Sequence, residues 1–216
     1  MLDIYLNPKK SMENLEIKGY FEMFIKCILP FSFFPVLGYL IGFTVLKSNY
    51  ISSINQFLDM LKNDPKADKS TIDYMNLILN MLQNDDFNKI LIFLLIVWVF
   101  EIFKPIFLTG LTYFFGKSFG GEDNPIKVFN LVVYAVIPVY ISEITYMINS
   151  PLTAIALFLS SFYMFYLIFI GSEKVLKVPS ENSKNFQFIV VLIIFYVILS
   201  GILGMLQTKL IQMLIS

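Results

Sequence analysis

The sequence predicts an all-α polytopic membrane protein, a bundle of five transmembrane helices with an N-terminal interfacial helix and a helical hairpin in the first loop. Three observations carry that prediction. Hydrophobic residues make up 57% of the 216-residue chain and charged residues only 15%, with a mean hydropathy of +0.72. A soluble domain carries about 25% charged residues, so too few charges remain here to cover the apolar surface, and lipid must act as solvent. Second, the apolar residues fall in runs of about 20, the length that crosses a hydrocarbon core of roughly 30 Å at 1.5 Å per residue. Third, most of the runs are separated by short polar segments carrying Gly, Pro, Asn or Ser, the turn formers that let successive helices reverse direction.

Residues 1–26 mix four lysines with four acids and show no secretory-signal pattern. Asn7-Pro8 marks a turn or helix start, and Leu15, Tyr20, Met23 and Phe24 form an apolar stripe, so an amphipathic interfacial helix is expected. The first span, 27–46, has no charge over 20 residues; Pro30 and Pro35 predict a kink, and Gly38 and Gly42 form a small-xxx-small pair suited to close helix approach. Residues 47–89 are the one long hydrophilic connection. Ile51, Ile54, Phe57, Leu58 and Leu61, then Ile72, Met75, Ile78, Leu79 and Leu82, recur at helical spacing on either side of Asn63-Asp64-Pro65. This predicts a two-helix amphipathic hairpin. Spans follow at 90–115, 128–147, 152–170 and 186–206. The turn Gly120-Gly121-Glu122-Asp123-Asn124-Pro125 reverses the chain between the second and third, and Pro138 lies inside the third.

Five spans place the termini on opposite sides. The N-terminal segment, the 116–127 turn and the 172–184 loop hold nine lysines, whereas the 47–89 loop, the 148–150 turn and the tail hold six. The excess of lysine is expected inside, which puts the N-terminus in the cytoplasm.

Composition removes several chemistries. The chain has no histidine, no arginine and one cysteine, Cys27, so a His/Cys metal site, a Ser-His-Asp triad and a Cys-His dyad are excluded. Without arginine or net positive charge, nucleic-acid binding is disfavoured. Gly116-Lys117-Ser118 is similar to the end of a phosphate-binding loop, but that loop requires a glycine at 111, where Leu111 stands, and a strand rather than an apolar helix before it. The candidate functional residues are the intramembrane charges Glu101, Lys104 and Glu143. Each costs about 2.5–3.5 kcal/mol at the bilayer centre, so pairing and inward orientation are expected. Glu101 and Lys104 are three apart and share a helix face; Glu143 lies on another span, with no partner derivable from spacing. They support two readings, a structural ion pair and a small-solute or ion transporter. A lipid enzyme is a weaker third reading.

Gly116, Phe119-Gly120-Gly121, Phe129 and Tyr134-Ala135-Val136-Ile137-Pro138, with Asn7-Pro8 near the start and Gly171, Lys177-Val178-Pro179 and Ser183-Lys184 late in the chain, resemble the Yip (Ypt-interacting protein) domain family of multi-pass membrane proteins, in its prokaryotic branch. The resemblance covers most of the chain. It implies five membrane helices with a cytosolic N-terminus, and the plasma membrane of a prokaryote. Eukaryotic relatives act in vesicle traffic with small GTPases and in shaping membranes; their cytosolic recognition motifs are not evident here, so GTPase binding is not carried over. Gly116, Gly120, Gly121 and Pro138 carry over as turn and helix residues, not as an active site. The expectation is a non-enzymatic scaffold without a cofactor, whose partners are the bilayer and a protein partner or a second copy.

Overall fold

The computed structural model describes residues 2–64 and 68–215, and among these 85% are helical with no strand. Two short helices, α1 (Leu2–Leu6) and α2 (Pro8–Glu13), precede α3 (Tyr20–Thr44). The hairpin follows as α4 (Lys47–Lys62) and α5 (Lys69–Gln83). Next come α6 (Phe87–Ser118), α7 (Pro125–Ser142), which continues as a 3₁₀ segment over Glu143–Met147, α8 (Pro151–Lys174) and α9 (Lys184–Ile215). Helix α3, α6, α7 with its 3₁₀ segment, α8 and α9 are long and apolar enough to cross a membrane. The Asn63-Asp64-Pro65 signal lies partly outside the described residues, since Pro65 is not among them.

The N-terminal segment departs from the single interfacial helix expected. Pro8 opens α2 at its first position, where the missing N–H is not needed, but residues 14–19 are not helical. The reason lies on α7. Asn130 is fully buried; its Oδ1 accepts the Lys18 N–H at 2.9 Å and its Nδ2 donates to the Lys18 carbonyl at 2.8 Å. A two-bond clamp holds Lys18 in place and satisfies a buried amide that would otherwise be costly. The apolar stripe is therefore divided. Leu15 stands in the irregular stretch, while Tyr20, Met23 and Phe24 belong to α3.

Proline shapes the spans. Pro30 and Pro35 cannot donate to the carbonyls four residues earlier; α3 widens into a π turn over Phe24–Ile28 and breaks at Ser32. Ser32 is buried there, bonding back to the Leu29 carbonyl at 3.0 Å and accepting the indole N–H of Trp98 on α6 at 3.1 Å.

Helix α7 is the axis of the bundle, with 72% of its most apolar stretch buried, against 11% for α9. Packing divides into two apolar cores. One gathers the N-terminal segment, the start of α3, α7, α8 and the 175–178 loop; the other joins the far half of α3, the α4–α5 hairpin, the first half of α6 and the end of α9. Ile211 and Ile215 are buried in the second core, so α9 runs well past the apolar stretch ending at 206 because its last turns pack under the hairpin.

Candidate functional site: a carboxylate–lysine–carboxylate cluster

Glu101, Lys104 and Glu143, separated in the sequence, meet at one point. Lys104 Nζ lies 2.6 Å from Glu101 Oε2 and 2.7 Å from Glu143 Oε1. Both carboxylates are buried, at 3% and 2% exposure. Glu143 thus gains the partner that spacing could not supply: α6 and α7 pack antiparallel, and the 3₁₀ segment after α7 brings Glu143 level with the middle of α6. On α6 the cluster falls between Val97 of one core and Leu108 of the other.

Three local features build it. Pro105 removes the helical donor for the Glu101 carbonyl, and Tyr140 of α7 supplies a replacement, its hydroxyl donating to Glu101 O at 2.6 Å. Glycine lets α3 approach from the other side, because a Cβ on Gly38 would stand 2.9 Å from the carbonyl oxygens of Glu143 and Ile144. Beyond Glu143, Tyr146 stacks on Tyr39 with ring centroids 4.7 Å apart, closing that side with aromatic surface. One oxygen of each carboxylate, Glu101 Oε2 and Glu143 Oε2, is buried without a hydrogen-bond partner among the described residues, although Glu101 Oε2 lies 2.6 Å from Lys104 Nζ; two carboxylates share one ammonium.

Lys104 alone touches open space, through a lateral cavity of about 150 Å³ between α6 and α9, lined by Phe107, Tyr196, Leu203, Ser200 and Gln207 among others. This cleft is mostly apolar and does not extend to the two carboxylates. The arrangement has the character of an internal ion cluster more than of a conduction path, and does not favour the transporter reading.

The glycine turn forms a second assembly. Gly120 has φ +89, and the bonds Gly121 N–H to Gly116 O (2.8 Å) and Gly120 N–H to Lys117 O (3.0 Å) make a Schellman cap at the end of α6. Asn124 then caps α7 through the Lys127 N–H at 3.2 Å, with Pro125 next. The turn docks on the late loop: Glu122 N–H donates to Leu176 O at 2.6 Å, and a Cβ on Gly121 would lie 3.0 Å from Val178 Cγ2. The lysine of Gly116-Lys117-Ser118 is engaged by Asp123 at 2.5 Å, and Ser118 bonds back to Phe114 O. The hydrogen bond from Lys117, joined by one from Tyr113, holds the Asp123 carboxyl below its ordinary value. Pro138, inside α7, frees the Tyr134 carbonyl, which receives the hydroxyl of Tyr5 at 3.1 Å.

Sequence reasoning named the three charges, the glycines and Pro138, but missed Asn130, Tyr140 and Tyr5. For the two tyrosines the available signal was Pro105 and Pro138, each of which orphans one known carbonyl and so demands a donor from elsewhere; nothing in the spacing pointed to Asn130.

Comparison with curated proteins and with solved structures returns no match. The family model described as the Yip1 domain matches residues 2–202. That span takes in the N-terminal segment, the charge cluster, the docked glycine turn and most of α9, and the chain belongs to the Yip1 domain family.

Proposed function

We propose that the protein is a non-enzymatic integral membrane scaffold, organising membrane or partner proteins through its helix surfaces and working without a cofactor. The observation that carries this reading is the self-contained charge cluster: Lys104 contacts both carboxylates at 2.7 Å or less, so the intramembrane charges are engaged with one another. Helix α9 supports it as well. Val190, Val197, Ile198, Ile202 and Met205 are exposed along it, an apolar surface available for lateral contact within the bilayer. Crosslinking in native membranes is expected to trap a defined partner or a homo-oligomer. Recovery of monomer alone, with ion flux in reconstituted vesicles, would overturn the reading in favour of transport.

The N-terminus is proposed to face the cytoplasm, and the C-terminus the opposite side of a prokaryotic plasma membrane, on the strength of the nine-to-six lysine bias. In a Cys27→Ser background, a membrane-impermeant thiol reagent applied to intact cells is expected to label Ser53→Cys in the hairpin and not Ser180→Cys. The reverse pattern would invert the topology.

A further inference from the structure

A second cavity lies apart from the charge cluster. It measures about 640 Å³ and opens between the N-terminal helices and the start of α3, within the size range of ligand sites. Its floor, which includes Cys27 and Tyr134, belongs to the membrane-spanning helices, while Lys10 and Lys18 stand on its rim outside them. A pocket that straddles this boundary sits at headgroup level, whichever leaflet it faces.

The chemistry of the rim is specific. Lys10, Lys18 and Lys26 line the pocket, against the carboxylates of Asp3 and Glu16. Lys26 is held by Glu22 at 2.8 Å. Lys18 is different: its ammonium is only loosely neutralised, 3.7 Å from Glu16 and 3.9 Å from Glu22. Lys10 has no ion pair among the described residues. The Glu16 side chain is 81% exposed, so solvent screens its pull on Lys18. Lys10 therefore lines the pocket without an ion pair among the described residues, and Lys18 with only two long ones, beside the polar side chains of Asn7, Ser11 and Asn14. Lys18 is also fixed in place, since Asn130 clamps its backbone from both sides. Such preorganisation lowers the cost of binding.

We infer that this pocket binds the phosphate-bearing headgroup of an anionic phospholipid, with Lys10 and Lys18 as the phosphate ligands and the apolar floor receiving the first part of the acyl chains. Lysine attracts anionic lipid as a compact charge with three donors, and here Lys10 and Lys18 share one cavity with Cys27 and Tyr134 of the membrane-spanning helices. The inference depends on the pocket alone and stands apart from the scaffold reading.

The test uses the full-length protein in a neutral detergent, with thermal unfolding followed during titration of short-chain phosphatidylglycerol, phosphatidylcholine or inorganic phosphate. Phosphatidylglycerol is expected to raise the melting temperature saturably, with phosphatidylcholine inactive and inorganic phosphate at least tenfold weaker. The double variant Lys10→Gln/Lys18→Gln should lose about thirtyfold in apparent affinity for phosphatidylglycerol, from the contribution of each lysine near an anionic surface. Lys62→Gln/Lys69→Gln in the hairpin should bind like the wild type. Should the double variant fold poorly, Lys10→Gln alone, which breaks no ion pair, is expected to lose about fivefold. Equal stabilisation by phosphatidylcholine, an unchanged affinity in both pocket variants, or inorganic phosphate as effective as the lipid would each overturn the assignment.

Discussion

Tyr140 meets a need created on another helix. Pro105 leaves the Glu101 carbonyl without a helical donor in the interior of the bundle, and the Tyr140 hydroxyl reaches it at 2.6 Å. In a bilayer such a carbonyl has no water to turn to. Tyr140→Phe keeps the ring packing and deletes only the donor, so it is expected to lower stability by about 1–2 kcal/mol, between a typical interhelical bond and an orphaned buried carbonyl. Unfolding of the purified protein in mixed detergent micelles measures this. Tyr5→Phe acts on the equivalent carbonyl at Pro138, but its bond is longer and only partly buried, so the loss should be smaller. An equal loss for the two would argue against this account. The prolines were visible in the sequence; which tyrosine answers each was not, because the answer comes from 39 residues away in one case and 129 in the other.

Glycine has opposite meanings on different elements. A Cβ on Gly121 would lie 2.8 Å from the Gly116 carbonyl, and one on Gly171 would collide with Leu131 at 2.1 Å, whereas nothing stands within 4 Å of one placed on Gly201 or Gly204. Gly121→Ala and Gly171→Ala are each expected to destabilise by about 1–3 kcal/mol through overpacking, while Gly201→Ala should stabilise by about 0.5–1 kcal/mol through helix propensity. Melting temperatures of the three variants would test the contrast. The close approach that spacing predicts for Gly38 and Gly42 is used, because α3 meets the 3₁₀ segment and Tyr50 there, whereas the equally small Gly201 and Gly204 of α9 meet no such approach. The turn between α6 and α7 adds a pH dependence. Its carboxylates Asp123 and Glu122 are held below their ordinary values by hydrogen bonds from Lys117 and Lys127 respectively. A depressed folded value means that the contribution is present above the unfolded value, about 3.9 for Asp and 4.3 for Glu, and is lost as pH falls through the folded one. The melting temperature should therefore decline in that acid window, and less so for Asp123→Asn; a decline of the same size in the variant would remove Asp123 from the explanation.

At the scale of the whole molecule, the charge cluster joins two apolar cores that otherwise occupy different ends of the bundle. Removing its one cation leaves two buried carboxylates facing each other, so Lys104→Met is expected to cost about 3–5 kcal/mol. Glu143→Gln keeps an acceptor for Lys104 and removes the surplus acid, and should change stability by less than about 1 kcal/mol. Chemical unfolding in detergent would rank the two, and a Lys104→Met variant as stable as Glu143→Gln would show that the cluster does not hold the cores together.

Fold class, the five spans, the residues of the glycine turn and the identity of the intramembrane charges are all legible in the order of amino acids. Hydropathy, turn chemistry and residue inventory are properties of neighbouring residues, and lipid as solvent enforces them on each segment separately. Three-dimensional packing alone reveals that Glu143 shares Lys104 with Glu101, that Asn130 clamps Lys18, and that the Gly120-Gly121 turn rests on the 176–179 loop. These contacts depend on the depth and rotation of one helix against another. Both are fixed by proline breaks and glycine approaches acting across the bundle, which one-dimensional spacing does not encode.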